Sequence, residues 1–212
     1  MDKGEQQIKE HWYAIKVFYN KVFQMEDILS HLQLETYLAV RKVQLKGQEH
    51  LSAARKLASV PPGHRPDPRY IQEGPVIYER VPLVSSLMFV KASEEQIQEV
   101  DRRLRNELDS TRLLGYIYKT PDWKSFAVIP ENQMLSFRLV TQNGAEGLEF
   151  FSAEEPVFLK GDKVRVTSGP LKGSEGYIRR IKKDRRLLVV IQGVIAVAAS
   201  YIPKDQLEKV EG

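Results

Sequence analysis

The segment "GDKVRVTSGPLKGSEGYIRRI", Gly161 to Ile181, limits the fold more tightly than any other part of the chain. Two apolar-alternating arms flank a turn that holds Gly169, Pro170 and Gly173. Val164 and Val166 fall on one face of the first arm. Proline fixes φ at its position, and the glycines are free to take positive φ. The pattern dictates strand, turn, strand. "KKDRR" then makes a tight connection, and "LLVVIQG" and "VIAVAASYI" read as two further strands. Four or five short strands in about fifty residues predict a small, strongly bent barrel over 158–212. The same loop does not fit a phosphate cradle. No Lys-Ser/Thr follows a glycine, and a strand rather than a helix comes next.

Upstream the periodicity is mixed. "HWYAIKVF" reads as a strand with Tyr13, Ile15 and Val17 on one face and Trp12, Ala14, Lys16 and Phe18 on the other. Both faces are largely apolar, so each needs a cover. "KVFQMEDILSHLQ" places Val22, Met25, Ile28, Leu29 and Leu32 at helical spacing. "ETYLAVRKVQL" returns to β-rich composition, and "LVSSLMFVKA" is a clear strand. "SEEQIQEVDRRLRNELD" is the strongest helix. Ser93 and Gln96 fit a capping box, and Ile97, Val100, Leu104 and Leu108 form one stripe. Acidic residues lead and arginines follow, as the helix dipole prefers. "GYIYKT" and "SFAVI" form a hairpin around "PDWK". "PENQMLSFRLVTQNG" opens a helix at Pro130 and ends it at Gly144. The outline over 9–144 is β-α-β-β-α-β-β-α, an α+β antiparallel sheet with helices. An insertion at about 46–80 interrupts it. "QEHLSAARKLA" within it could make one or two helical turns, and "SVPPGHRPDPRY" carries four prolines and a glycine, which breaks regular structure, so the insertion is otherwise expected to be a mobile loop. The acidic residues 145–157 are expected to be a linker.

Composition narrows the function classes. The 212 residues contain no cysteine, which rules out disulfides, thiolate metal sites and a Cys nucleophile. The four histidines are scattered, without metal-ligand spacing. Ser85 and Ser86 lack a nucleophile elbow. Glu94-Glu95 and Glu154-Glu155 read as a helix start and a linker rather than an acid/base pair. No cofactor, metal or catalytic constellation is expected, and the chain is read as a non-enzyme. The start of the sequence lacks the apolar core of a secretory signal. The longest apolar stretches fall far short of the roughly 20 residues of a membrane span. A cytoplasmic monomer without membrane contact is the expectation. Charge is uneven. Residues 160–212 hold 12 Lys and Arg against 6 Asp and Glu, a net +6, while the remainder is −2. Such asymmetry suggests two units with different partners.

The layout resembles the NusG family. "GDKVRVTSGPLKGSEGYIRRIKKDRRLLVVI" is similar to a KOW motif through Gly161, Val164, Val166, Gly169, Pro170, Gly173 and Gly176. "HWYAIKVF", with "LVSSLMFVKA" before a helix, resembles the NusG N-terminal domain. "RRLLVVIQGVIAVAASYIP" is similar to the end of UpxY-type antiterminators of capsular or exopolysaccharide operons. Val84, Ser85, Ser86 and Leu87 stand where NusG proteins carry Phe-Pro-Gly-Tyr, which also points to the specialised branch.

The resemblance implies an N-terminal domain that binds the RNA polymerase clamp region, followed by an SH3-like KOW barrel. It implies that Trp12, Phe18, Leu87 and Phe89 line the polymerase-binding depression. It implies that the barrel docks Rho or a small-subunit ribosomal protein. Tyr177, Arg179, Arg180, Lys182, Lys183, Arg185 and Arg186 are the candidate contacts there for that partner or for RNA, and DNA contact is also open. The expected function is transcription elongation and antitermination at a polysaccharide operon. The alternative is a ribosome-associated or RNA-binding KOW protein.

Overall fold

The computed structural model describes residues 9–106, 114–143, 147–152, 161–181 and 184–210. Leu108, Gly144, Lys182 and Lys183 lie outside them. The first sheet begins with β1 (His11–Val17), followed by α1 (Val22–His31) and β2 (Glu35–Tyr37). β3 (Val40–Gln44), α2 (Gly47–Ala58), β4 (Tyr70–Glu73) and β5 (Val76–Pro82) come next. Then come β6 (Leu87–Ala92), α3 (Glu94–Asn106), β7 (Gly115–Ile117) and α4 (Glu131–Asn143). The C-terminal strands are β8 (Glu149–Ser152), β9 (Lys163–Val166), β10 (Glu175–Ile181), β11 (Asp184–Ile191), β12 (Ile195–Tyr201) and β13 (Leu207–Lys209). The protein is α+β, with antiparallel pairing throughout.

Three sheets result. The first is four-stranded in the order β2-β6-β1-β7. Its strand alternation separates two apolar faces, as the sequence predicts. Tyr13, Ile15, Val17, Met88 and Val90 pack under α1 and α3. Trp12, Ala14, Leu87 and Phe89 point the other way and meet Met134, Phe137 and Val140 of α4. The capping box of α3 is formed as expected. Ser93 N–H donates to Gln96 Oε1 at 2.8 Å, and Gln96 N–H donates to Ser93 Oγ at 3.2 Å.

The second sheet has three strands, β3-β5-β4; β4 and most of β5 come from the insertion, and β3 from the residues just before it. This corrects the expectation of a mobile loop over 46–80. The prolines within 46–80 lie in the connection between α2 and β4 and, as Pro75, in the turn between β4 and β5, while the residues around them carry regular structure. Leu45, Ala53 and Ile77 form a small core with Leu57 and Tyr70 at its edge. Arg80 fixes the unit to α1. Its guanidinium donates to both Glu26 carboxylate oxygens at 2.7 and 2.8 Å and to Pro68 O at 2.9 Å. It also lies 5.3 Å from the Phe23 ring centroid.

The third sheet has six strands in the order β13-β9-β10-β11-β12-β8. Among the described residues β13 and β8 are its two edges, so the expected closed barrel is an open sheet. Gly169 and Gly173 both take positive φ in the turn before β10, as the sequence predicts. The expected linker is corrected in part. Residues 149–152 are strand β8, paired along β12 from Ser152↔Ile195 to Glu149↔Ala198. The aromatic pair in "LEFFS" explains this. Phe150 packs toward the main core and Phe151 toward Leu188, Ala196 and Ala198 on the opposite side.

α4 joins the first and third sheets. Its apolar residues share one core with Val164, Leu187, Val189, Ile191 and Val197. Polar contacts fix the register. Ser136 Oγ donates to Asn132 O at 2.7 Å and accepts Glu175 N–H at 2.9 Å. Gln133 Oε1 accepts Gln192 N–H at 3.2 Å.

Candidate docking face

The candidate site is the α4-facing side of the first sheet, which divides into a covered half and an open half. In the covered half Trp12 and Phe89 are each 1% exposed. Phe89 packs on Phe137 with ring centroids 5.1 Å apart, and Tyr37 completes the aromatic group at 6.4 Å from Phe89. The Tyr37 hydroxyl is joined to Thr141 Oγ1 at 2.6 Å, and burial holds its pKa above the ordinary tyrosine value. Trp12 Nε1–H reaches Glu131 Oε1 at 3.4 Å, and the Arg138 guanidinium lies 5.6 Å from the Trp12 ring.

Beyond the end of α4 the same face is more exposed among the described residues, chiefly at Tyr116. Lys16 pairs with Leu87 on one side and Tyr116 on the other. Directly opposed residues share a face of an antiparallel pair. Phe18, one residue past β1, donates its N–H to Leu114 O at 2.7 Å, which fixes its position beside β7. An aromatic ladder follows: Tyr19 to Phe18 at 6.1 Å, Phe18 to Tyr116 at 5.9 Å, and Tyr116 to Tyr118 at 5.6 Å. Tyr116 is 42% exposed and Tyr19 is 61% exposed. Gly115 makes the pairing possible, since a Cβ there would stand 2.1 Å from Lys16 O.

The four sequence-predicted residues are therefore not equivalent. Trp12, Leu87 and Phe89 lie together on the predicted face, but they are buried there instead of lining an open depression. The alternation places them opposite α1 and α3 as expected. Alternation says nothing of which face a later helix covers, and α4 covers theirs. Phe18 is half-buried and belongs to the open half. Lys16, Tyr116 and Tyr118 complete that half and were missed. The signal was present in "GYIY", where two tyrosines two residues apart share a face.

The basic candidates of the third sheet are also divided. Arg179 pairs with Arg186 and Arg180 with Arg185 across β10 and β11. Ile178 and Leu187, which face α4, share the parity of Arg180 and Arg185. Arg179, Arg186 and Tyr177 are on the reverse side. Arg180 and Arg185 are exposed, whereas Arg186 Nη1 donates to Glu149 Oε1 at 2.9 Å. Nearby, Glu175 accepts from Arg165 Nη2 at 2.7 Å. That hydrogen bond, with the charge of Lys163 beside it, holds Glu175 below the usual carboxylate range.

No group of three or more His, Asp or Glu side chains that could hold a metal occurs among the described residues. None of their helices is long and apolar enough to cross a membrane. No protein-family model matches the chain, and no curated protein sequence matches it. The geometry alone defines an α+β protein in which one face of a sheet is half core and half aromatic surface.

Proposed function

We propose that this chain is a transcription elongation and antitermination factor of the NusG type, which binds the clamp region of RNA polymerase through its first sheet. The observation that carries the reading is the outer half-face, where Phe18, Tyr116 and Tyr118 make tilted ring contacts on the strand positions beside Lys16, with Tyr116 exposed. Exposed contiguous aromatics at the end of a packed sheet are suited to a protein partner that brings its own apolar side chains. The KOW-like segment from Gly161 supports a second docking unit, which recruits a ribosomal protein or Rho. The similarity of "RRLLVVIQGVIAVAASYIP" to UpxY-type proteins favours a polysaccharide operon as the target. Binding that holds the polymerase clamp closed suppresses pausing by a population shift, without chemistry.

Arg180 and Arg185 favour a second reading. Like charges directly opposed across strands are unfavourable unless an anion lies between them. An RNA-binding or ribosome-associated protein would use that pair. Affinity measurements of the full chain for purified RNA polymerase and for small ribosomal subunits separate the two. The first reading expects polymerase binding that survives Arg180→Ala with Arg185→Ala. The second expects subunit or RNA binding, with a salt slope that falls by about 0.7–0.9 for each phosphate no longer neutralised.

A further inference from the structure

Lys16 stands at the centre of the open half-face and is half-buried there. Leu87 and Tyr116 oppose it on either side. Its ammonium donates to Ser86 Oγ at 3.0 Å, and among the described residues it pairs with no carboxylate. An ammonium carries three donors, and the Ser86 hydroxyl takes one of them, so donors remain for an anion. An apolar side chain at this position would extend the aromatic surface but offer no such donors. Apolar contact alone also gives little control of register, whereas one charge inside an apolar patch specifies what must lie opposite it.

We infer that the open half-face receives a protein segment in which a carboxylate is flanked by apolar side chains. The carboxylate pairs with Lys16 Nζ, and its apolar neighbours pack on Phe18 and Tyr116. This rests on the reading of the face as a docking surface and adds the chemistry of its occupant. A nucleic-acid strand is disfavoured, because such a strand needs a track of several cations beside the rings. Among the described residues of this half-face Lys16 is the cation.

The test uses the full chain with purified RNA polymerase, and in parallel with a clarified cell lysate. A zero-length carbodiimide couples a lysine amine to a carboxylate that touches it, and mass spectrometry then identifies both residues. The expected product joins Lys16 to an Asp or Glu of the polymerase. Lys16→Met weakens polymerase affinity by about ten- to a hundredfold, the range for a charged hydrogen bond, and reduces its salt dependence. Lys16→Arg keeps the affinity but abolishes the link. A Lys16 link to a carboxylate of some other protein in the lysate keeps this inference and removes polymerase as the partner. Four results overturn the inference. One is equal affinity of wild type and Lys16→Met for the purified protein to which Lys16 is linked. Another is a Lys16 link only within its own chain. A third is no Lys16 link while other lysines couple. The last is loss of binding after nuclease treatment.

Discussion

The two ends of β1 present the same side of one sheet to different surroundings. At Trp12 that side lies beneath α4, inside a core that continues into the third sheet. At Lys16 and Phe18 it is only half-buried among the described residues, and cross-strand aromatic packing lies there in place of α4. Side-chain direction is identical in the two halves. What differs is whether α4 reaches them. On the proposed reading, a large aromatic on this face is a stability residue at one end and a docking residue at the other, and substitutions should separate the two roles.

The largest effect is expected in the covered half. Phe89→Ala removes a fully buried ring from the group with Tyr37 and Phe137 and should cost about 3–5 kcal/mol of folding stability. Trp12→Ala should behave similarly. Urea denaturation of the full chain measures both. A loss below about 1 kcal/mol would mean that α4 does not hold this face closed, and the contrast between the halves would disappear.

A second contrast concerns how the appended units are attached. The third sheet shares an extensive core with α4. Among the described residues the insertion instead meets α1 through the Arg80–Glu26 ion pair, whose side chains are 15% and 16% exposed, the Arg80–Phe23 contact and the Arg65–Ser30 Oγ hydrogen bond. Arg80→Met leaves Glu26 without its partner and should cost about 1.5–3 kcal/mol. The damage should be local. Limited proteolysis should cut first between α2 and β4, with the first and third sheets still protected. Simultaneous loss of all protection would mean that the insertion is integral to the main core.

Smaller effects test the helix start and the charge network. Ser93→Ala removes one half of the α3 capping box and should cost about 1 kcal/mol, read as a shift in urea midpoint at unchanged slope. The Glu175 carboxyl is held below its ordinary value of 4.5 by Arg165. Because the folded pKa is the lower one, its stabilisation is complete above the unfolded value and disappears as pH falls through the folded value. The stability gap between wild type and Glu175→Gln should therefore be constant near neutrality and narrow in acid. A gap that widens in acid would contradict the assigned pairing.

Much of this architecture was legible in the sequence because it is local. The capping box of α3, the Gly-Pro-Gly turn before β10 and the period-two pattern of β1 each depend on residues a few positions apart. The parts that were misread depend on distant partners. Prolines at 61–68 suggested a loop, but Leu45, Ala53 and Ile77 meet only once β3, α2 and β5 assemble. The acidic residues near 149 suggested a tether, but Phe150 and Phe151 find apolar surface on β12 and become an edge strand. The candidate site followed the same rule. Alternation assigned the face of Trp12, Leu87 and Phe89 correctly, and only the tertiary position of α4 decides that they are buried. The basic residues after Tyr177 look contiguous in sequence, yet the pleat sends Arg179 and Arg180 to opposite sides.

Tyr116 is the decisive residue, because it shares the face of Phe89 but lies beyond α4. Polymerase affinity and melting temperature of Tyr116→Ala, measured side by side, test the division of the face most directly. The docking reading predicts at least about a thirtyfold loss of affinity, the scale for a central aromatic anchor. Melting temperature should fall by only a few degrees, since exposed aromatic pairs contribute about 0.5–1.5 kcal/mol. Unchanged affinity, or a melting-temperature drop as large as that of Phe89→Ala, would contradict the division of this face into core and docking surface.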